Sequence, residues 1–348
     1  MGAHSASDIV TAGDRRCKAA RRGGVRPESD GEAAGVECGG EGDLDYVVGN
    51  TGLNTKYDSP ALLYYGDVDG SGEKRILEAE FEDGKCYPIR GLSCSSNAMP
   101  FLRGKTPKFH DFASATLIDL YAGRLEKAQR FEANTLESGV LMNDGKGRFE
   151  FRALPSMAQV APVFGIAMSD FDADGNQDLF LAQNSFSPQV ETGRMDGGTG
   201  ILLRGLGDGN FSAVRADQSG LLVPGDAKGV ALTDLNGDGW QDLLVAVNNS
   251  QMKAYESIPP AGGKIVTVDL DAADALKIGS LVTATLSSGK QLIFEITAGG
   301  SYLSQSSRRI RFVVPKNESI REVAVRWSDG KTDMLKVVKN DSSIRIGR

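Results

Sequence analysis

Two short loops, SDFDADGNQDLFLAQN (169–184) and TDLNGDGWQDLLVAVNNS (233–250), constrain this chain more than any other feature. In the first, Asp170, Asp172, Asp174 and Asp178 occupy positions 1, 3, 5 and 9, with Gly175 at position 6. In the second, Asp234, Asn236, Asp238, Gly239 and Asp242 occupy positions 1, 3, 5, 6 and 9. Carboxylates this close repel one another, and a fold that holds them together must compensate their charge. Each loop runs into a short apolar stretch, Leu179-Phe180-Leu181 or Leu243-Leu244-Val245-Ala246-Val247. A similar stretch, 162–168, precedes the first loop. Such runs read as buried strands, so each loop joins strand to strand.

That placement excludes an EF-hand, which needs flanking helices and a bidentate Glu at position 12. Position 12 is Leu181 in one loop and Val245 in the other. A plain tight turn does not need carboxylates at positions 1, 5 and 9 in two separate copies. Hard oxygen donors with a glycine at the sharp bend suit Ca2+, whereas zinc would want His or Cys and magnesium keeps several waters. The expected ligands of one calcium are Asp170, Asp172, Asp174 and Asp178, with the Asn176 carbonyl completing the shell. Those of a second are Asp234, Asn236, Asp238 and Asp242, with the Trp240 carbonyl.

The loops belong to a longer repeat. They begin 64 residues apart, and glycine-rich turns precede both, NDGKGRFEF (143–151) and LGDGNFSAV (206–214). Two weaker copies lie upstream. One keeps Asp67, Asp69, Ser71 and Gly72 but has Arg75 at position 9, which brings positive charge to a ligand position. The other keeps Gly42 and Asp45, with Glu37, Gly39 and Glu41 ahead of them. Repeats of this length with several short strands each predict propeller blades.

The loops D-x-[DN]-x-D-G-x-x-D-L resemble the FG-GAP or VCBS repeats of integrin-α-like β-propellers. The tail, IGSLVTATLSSGKQLIFEITAGGSYLSQSS (278–307) followed by VAVRWSDGKTDML (323–335), resembles an ASPIC/UnbV domain. Together they resemble bacterial relatives of the cartilage acidic protein family. The resemblance implies an all-β chain: a partial propeller at 41–258, then a small β-rich domain at 262–347, divided at SIPPAGG (257–263). It also implies a non-enzymatic, extracellular or envelope protein whose propeller presents a surface to a protein or glycan. The alternative it carries is an accessory role in secondary-metabolite (enediyne-type) biosynthesis.

Composition agrees with turn-rich β structure: 43 glycines and only 7% aromatic residues. A net charge of −7 argues against non-specific nucleic-acid binding, and no apolar run is long enough for a membrane span. Residues 1–40 contain no Leu and no aromatic residue, too little apolar surface to fold, and read as disordered or aberrant. With few blades following, the chain reads as an open arc whose earlier blades are missing. FHDFASATLIDLYAGRLEKAQRFEA (109–133) predicts an inserted amphipathic helix, about 107–133, with Phe109, Phe112, Ala113, Leu117, Leu120 and Tyr121 on one face. Cys86 and Cys94 flank a short loop and read either as a disulfide or as two reduced thiols; Cys17 and Cys38 lie in the aberrant segment.

Catalytic signals are sparse. The histidines are His4 and His110, neither near a nucleophile motif. GLGDGNF is followed by a strand, not by the helix a phosphate cradle needs. In the tail, Ser301, Tyr302, Ser304 and Gln305 read as a ligand patch or as a polar edge with Tyr302 turned inward. Trp327 reads as core.

Overall fold

The computed structural model describes residues 33–36, 39, 44–190, 192–337 and 342–348, most of them in or between β-strands. Three antiparallel sheets follow one another, each with its strands in sequence order. The first holds Ala33–Val36, Asp45–Val48, Gly139–Asn143 and Phe149–Ala153; the second, Val163–Ser169, Asp178–Gln183, Ile201–Gly205 and Phe211–Val214; the third, Ala227–Thr233, Asp242–Val247 and Lys253–Tyr255. Of the segment expected to be disordered, Ala33–Val36 is a paired strand, while the rest, apart from Gly39, lies outside the described residues, with His4, Cys17 and Cys38.

Side-chain alternation explains how the sheets stack. Every residue of Asp178–Gln183 is buried. Leu179 and Leu181 pack with Val47, Val140 and Ile166 toward the first sheet. Phe180 and Ala182 pack with Val230, Leu243 and Val245 of the third. A strand covered on both faces needs apolar residues at every position, so this run is continuous where a half-buried strand would alternate. Each large side chain buried there contributes roughly 1.5–3 kcal/mol.

Residues 49–138 are inserted between the second and third strands of the first sheet. They form a separate four-stranded sheet, in the order Lys85–Pro88, Arg75–Glu82, Ala61–Gly66, Gln129–Ala133, with its own apolar cluster. The Asp67 loop is a hairpin turn of this inserted sheet, outside the stacked series. Cys86 and Cys94 lie in the same insertion and are not bridged.

The single helix expected near 107–133 is replaced by shorter pieces. Helices Leu92–Ala98 and Phe101–Lys105 precede it; Phe109–Ala113, Leu117–Tyr121, a 3-10 turn at Ala122–Lys127 and the strand Gln129–Ala133 take its place. Thr116 causes the break. Its hydroxyl accepts from the Asp119 N–H while the Asp119 carboxylate accepts from the Thr116 N–H, a capping box that opens a new helix. Ala122, at φ 45°, ends that helix. The apolar face is therefore split: Phe112, Leu117, Leu120 and Tyr121 are buried, but Phe109 and Ala113 are exposed. His110 is exposed on the same short helix. Among the described residues no helix is long and apolar enough to cross a membrane.

From Lys264 the chain builds two more sheets, one of three strands centred on Lys264–Asp271 and one of four strands that includes Leu281–Leu286 and Ile320–Arg326. Val266, Val268, Val282, Leu286, Phe312 and Val325 join in one core between them. Trp327 belongs to that core, 1% exposed, and its indole N–H donates to Asp333 at 2.7 Å.

Candidate metal centre

Both acidic loops are hairpin connections. Ser169 pairs with Asp178 across the first, and Thr233 with Asp242 across the second. The strand pair fixes each loop's two ends, and the residues between must curl back. In the first loop Ala173, at φ 59°, and Gly175, at φ 88°, supply the left-handed conformations that bend requires.

The position-nine aspartates act as latches. Asp178 accepts from the Phe171 N–H at 2.8 Å and from the Gly205 N–H at 2.9 Å, tying the loop's start to the end of the third strand. Asp242 does the same for Leu235 at 2.7 Å and Ser257 at 2.9 Å. Asp45 repeats it in the first sheet, accepting from Gly39 at 3.1 Å and Asn143 at 2.8 Å. All three are buried. Each carboxyl accepts two backbone N–H bonds from separate segments, so a structural role alone accounts for aspartate here. The persistence of Asp45 in a loop where the earlier aspartates give way to Glu37, Gly39 and Glu41 is the sequence signal for it.

At the first loop, one oxygen from each of Asp170, Asp172 and Asp174 lies within 4.8 Å of the others. Asp170 is buried, Asp174 half-buried and Asp172 exposed. Backbone N–H groups orient the set: Gly175 and Asp174 donate to Asp170 at 2.8 and 3.1 Å, and Asn176 donates to Asp174 at 2.8 Å. Burial, with the neighbouring carboxylates adding to it, pushes both Asp170 and Asp178 up to about 7. Arg204, largely exposed, partly compensates the charge, reaching Asp172 at 2.7 Å and Asp174 at 2.8 Å. The Asn176 side chain accepts from Lys290 Nζ at 2.5 Å. Asp170, Asp172 and Asp174 would supply three hard oxygens to a cation at this hairpin, two of them now paired with Arg204, and Asp178 stands outside the trio.

The second loop is arranged differently. Asp234 accepts from the Gly237 and Gly239 N–H groups at 2.8 and 3.1 Å, and the Arg311 guanidinium approaches the same carboxylate at 3.3 Å. Asp238 accepts from the Trp240 N–H at 2.8 Å and from the Asn236 side-chain amide at 3.1 Å. Among the described residues no acidic trio converges here. An arginine pairs with the acids of both loops, exposed Arg204 at the first and buried Arg311 at the second, and only the first brings three acids together. At the Asp67 loop, Arg75 pairs with Asp69 at 3.2 Å, so that loop too is compensated from within.

Arg204, Lys290 and Arg311 carry no local sequence signal, because each reaches its loop from another strand or turn. Three of the four polar tail residues are engaged within the chain, while the Ser301 hydroxyl is buried without a hydrogen-bond partner. Tyr302 meets Phe164, Ser304 Oγ donates to the Val230 carbonyl at 2.7 Å, and Gln305 accepts from the Gly299 N–H at 3.1 Å.

A family model described as ASPIC and UnbV matches residues 271–348, which form an ASPIC/UnbV domain. The sheet containing Lys264–Asp271 extends that domain slightly upstream. No curated protein sequence matches the chain. Among solved structures, the V. cholerae biofilm matrix protein Bap1 is similar at 12% identity and a TM-score of 0.19, over 92% of this chain and 62% of that one. A score that low carries no argument about fold, and the chain spans less than two thirds of that protein's length.

Proposed function

We propose that the chain is a non-enzymatic, calcium-binding scaffold whose stacked sheets are blades of an open FG-GAP/VCBS-type arc, capped by the ASPIC/UnbV domain. The observation that carries the calcium reading is the convergence of Asp170, Asp172 and Asp174 within 4.8 Å on one hairpin. The blade reading is supported by three sheets in sequence order, stacked face to face, each latched by an aspartate at the same loop position. Calcium at the first loop would rigidify the rim of the middle sheet. The exposed rim then offers a surface to a protein or glycan in an extracellular or envelope setting. A second reading, an accessory role in secondary-metabolite biosynthesis, is favoured only by the UnbV-named domain at 271–348.

Calorimetric titration of the chelator-stripped chain tests the calcium reading. Uptake that disappears in Asp172→Asn supports it; no uptake at millimolar calcium overturns it. A glycan array and the genomic neighbours of the coding sequence separate a lectin, a protein binder and a biosynthetic accessory.

A further inference from the structure

We infer that the second acidic loop, residues 234–241, is the receptor for the chain's own ASPIC/UnbV domain, with Arg311 as its resident cation in place of a metal ion. Arg311 stands on Ile310–Val314 and reaches across to Asp234; the two side chains are only 6% and 11% exposed. A guanidinium that deeply buried needs an anion, and Asp234 is its partner. The Arg311 Nη1 nitrogen is buried with no acceptor, so the pair with Asp234 is what balances this charge.

The rest of the surface is built around that pair. Ser307 N–H donates to the Leu232 carbonyl at 2.8 Å, and Ser306 Oγ accepts from the Leu232 N–H at 3.0 Å. With Ser304 on Val230, the segment 304–307 runs along the strand that leads into the loop. On the loop's other side, Gly263 lies so close that an added Cβ would stand 3.1 Å from the Trp240 ring and 2.6 Å from Ala173. The domain therefore holds the loop through its strand, its carboxylate and its tryptophan.

The contrast with the first loop is one of direction. There Arg204 pairs with Asp172 at 2.7 Å and Asp174 at 2.8 Å from the exposed side, where water can take it up, and Lys290 bonds Asn176, while the three carboxylates still converge. At the second loop a buried cation already occupies position one. Arg311 is buried with Asp234 as its counter-ion and has no water to retreat into, so calcium at this loop would compete with the docked domain for that carboxylate. This inference holds whether or not the first loop takes calcium.

Two readouts on the full chain test it: calcium stoichiometry by calorimetry, and protease cleavage in the linker 257–263, where Ile258, Pro259, Ala261 and Gly262 are exposed. Asp238→Asn should leave calcium uptake unchanged. Arg311→Met and Asp234→Asn should each raise linker cleavage by about tenfold, and the double variant no further, as expected for partners in one interaction. Arg311→Met should also gain one calcium relative to the parent chain. Loss of one ion in Asp238→Asn, or additive effects of the two single variants, would overturn the inference. The Asp238 carboxylate bonds within the loop, to Asn236 and the Trp240 N–H, both bonds that an Asn side-chain oxygen can still accept, so Asp238→Asn decides the matter even if Arg311→Met does not fold. Should the parent chain take no calcium, the first-loop reading fails alone and the cleavage comparison still stands.

Discussion

Phe164 and Tyr302 meet edge to face, their ring centroids 5.2 Å apart and their planes at 72°. Lys228 lies over the same Phe164 ring, 3.2 Å from its centroid, and is held by Asp226 at 2.8 Å. Phe164 belongs to the second sheet, Lys228 to the third and Tyr302 to the C-terminal domain, so one ring joins three parts of the molecule. Edge-to-face pairs contribute about 0.5–1.5 kcal/mol beyond their buried area. Tyr302→Ala should therefore loosen domain docking by about 1 kcal/mol and speed cleavage at 257–263. Tyr302→Phe, which keeps the ring, should leave cleavage close to the parent rate.

Calcium should stabilise the fold through the first loop. An ion that binds only the folded chain, present at a hundredfold over its dissociation constant, adds about 2.7 kcal/mol. Chelation should lower the melting temperature of the parent chain. Asp174→Asn should abolish that shift, because Asp174 supplies one of the three converging oxygens. Asp67→Ala should leave the shift intact, since the 67 loop lies in the inserted sheet. Equal loss of the calcium response from both substitutions would remove the assignment.

Acid–base behaviour should change sign with calcium. Asp170 and Asp178 titrate near 7 in the folded chain, raised from 3.8 chiefly by burial. A carboxyl with a raised folded-state pKa binds more protons folded than unfolded, so stability declines as pH rises from 3.8 to about 7. With chelator present, the melting temperature at about pH 5 should exceed that at about pH 7.5 as far as these two groups are concerned. Saturating calcium holds the carboxylates ionised and should flatten or reverse that trend. Thermal scans at both pH values, with and without calcium, provide the comparison.

What the sequence made legible was local. The strand–loop–strand form of both acidic loops followed from the apolar runs beside them, and Asp178–Gln183 is indeed buried on both faces. The tail could be recognised from its own residues because Val282, Ala284 and Leu286 alternate along one strand and meet a core made within the domain. The insertion was only half visible: its apolar residues are present, but a capping box at Thr116 breaks the stripe that a helical period would continue. Its true extent, 49–138, was hidden because its sheet pairs Ala61–Gly66 with Gln129–Ala133, a long-range choice that no local period encodes. The candidate site shows the same divide. Its acids are contiguous and could be read directly. The cations that discriminate between the loops, Arg204, Lys290 and Arg311, come from other elements and are placed only by tertiary packing.

The C-terminal domain should fold when cut away at residue 262. Its core is closed on itself: the buried cluster around Val282, Phe312 and Trp327 draws every member from 266–346. The strand Lys264–Asp271 holds that domain's edges together, pairing antiparallel with Ile310–Val314 and parallel with Ser343–Gly347. What it shares with the rest of the chain includes Arg311, Tyr302, segment 304–307, Lys290 on Asn176 and Gly263 against Trp240. Cutting it free exposes a half-buried aromatic and releases the Arg311 charge into water, where it no longer needs Asp234. The fragment 262–348 should thus give dispersed amide resonances and a cooperative thermal transition. Its Arg311→Met variant should melt within a few degrees of the parent fragment, in contrast to the effect of the same change in the full chain. A disordered spectrum for the fragment would show that the core between its two sheets is insufficient without the third sheet beside it.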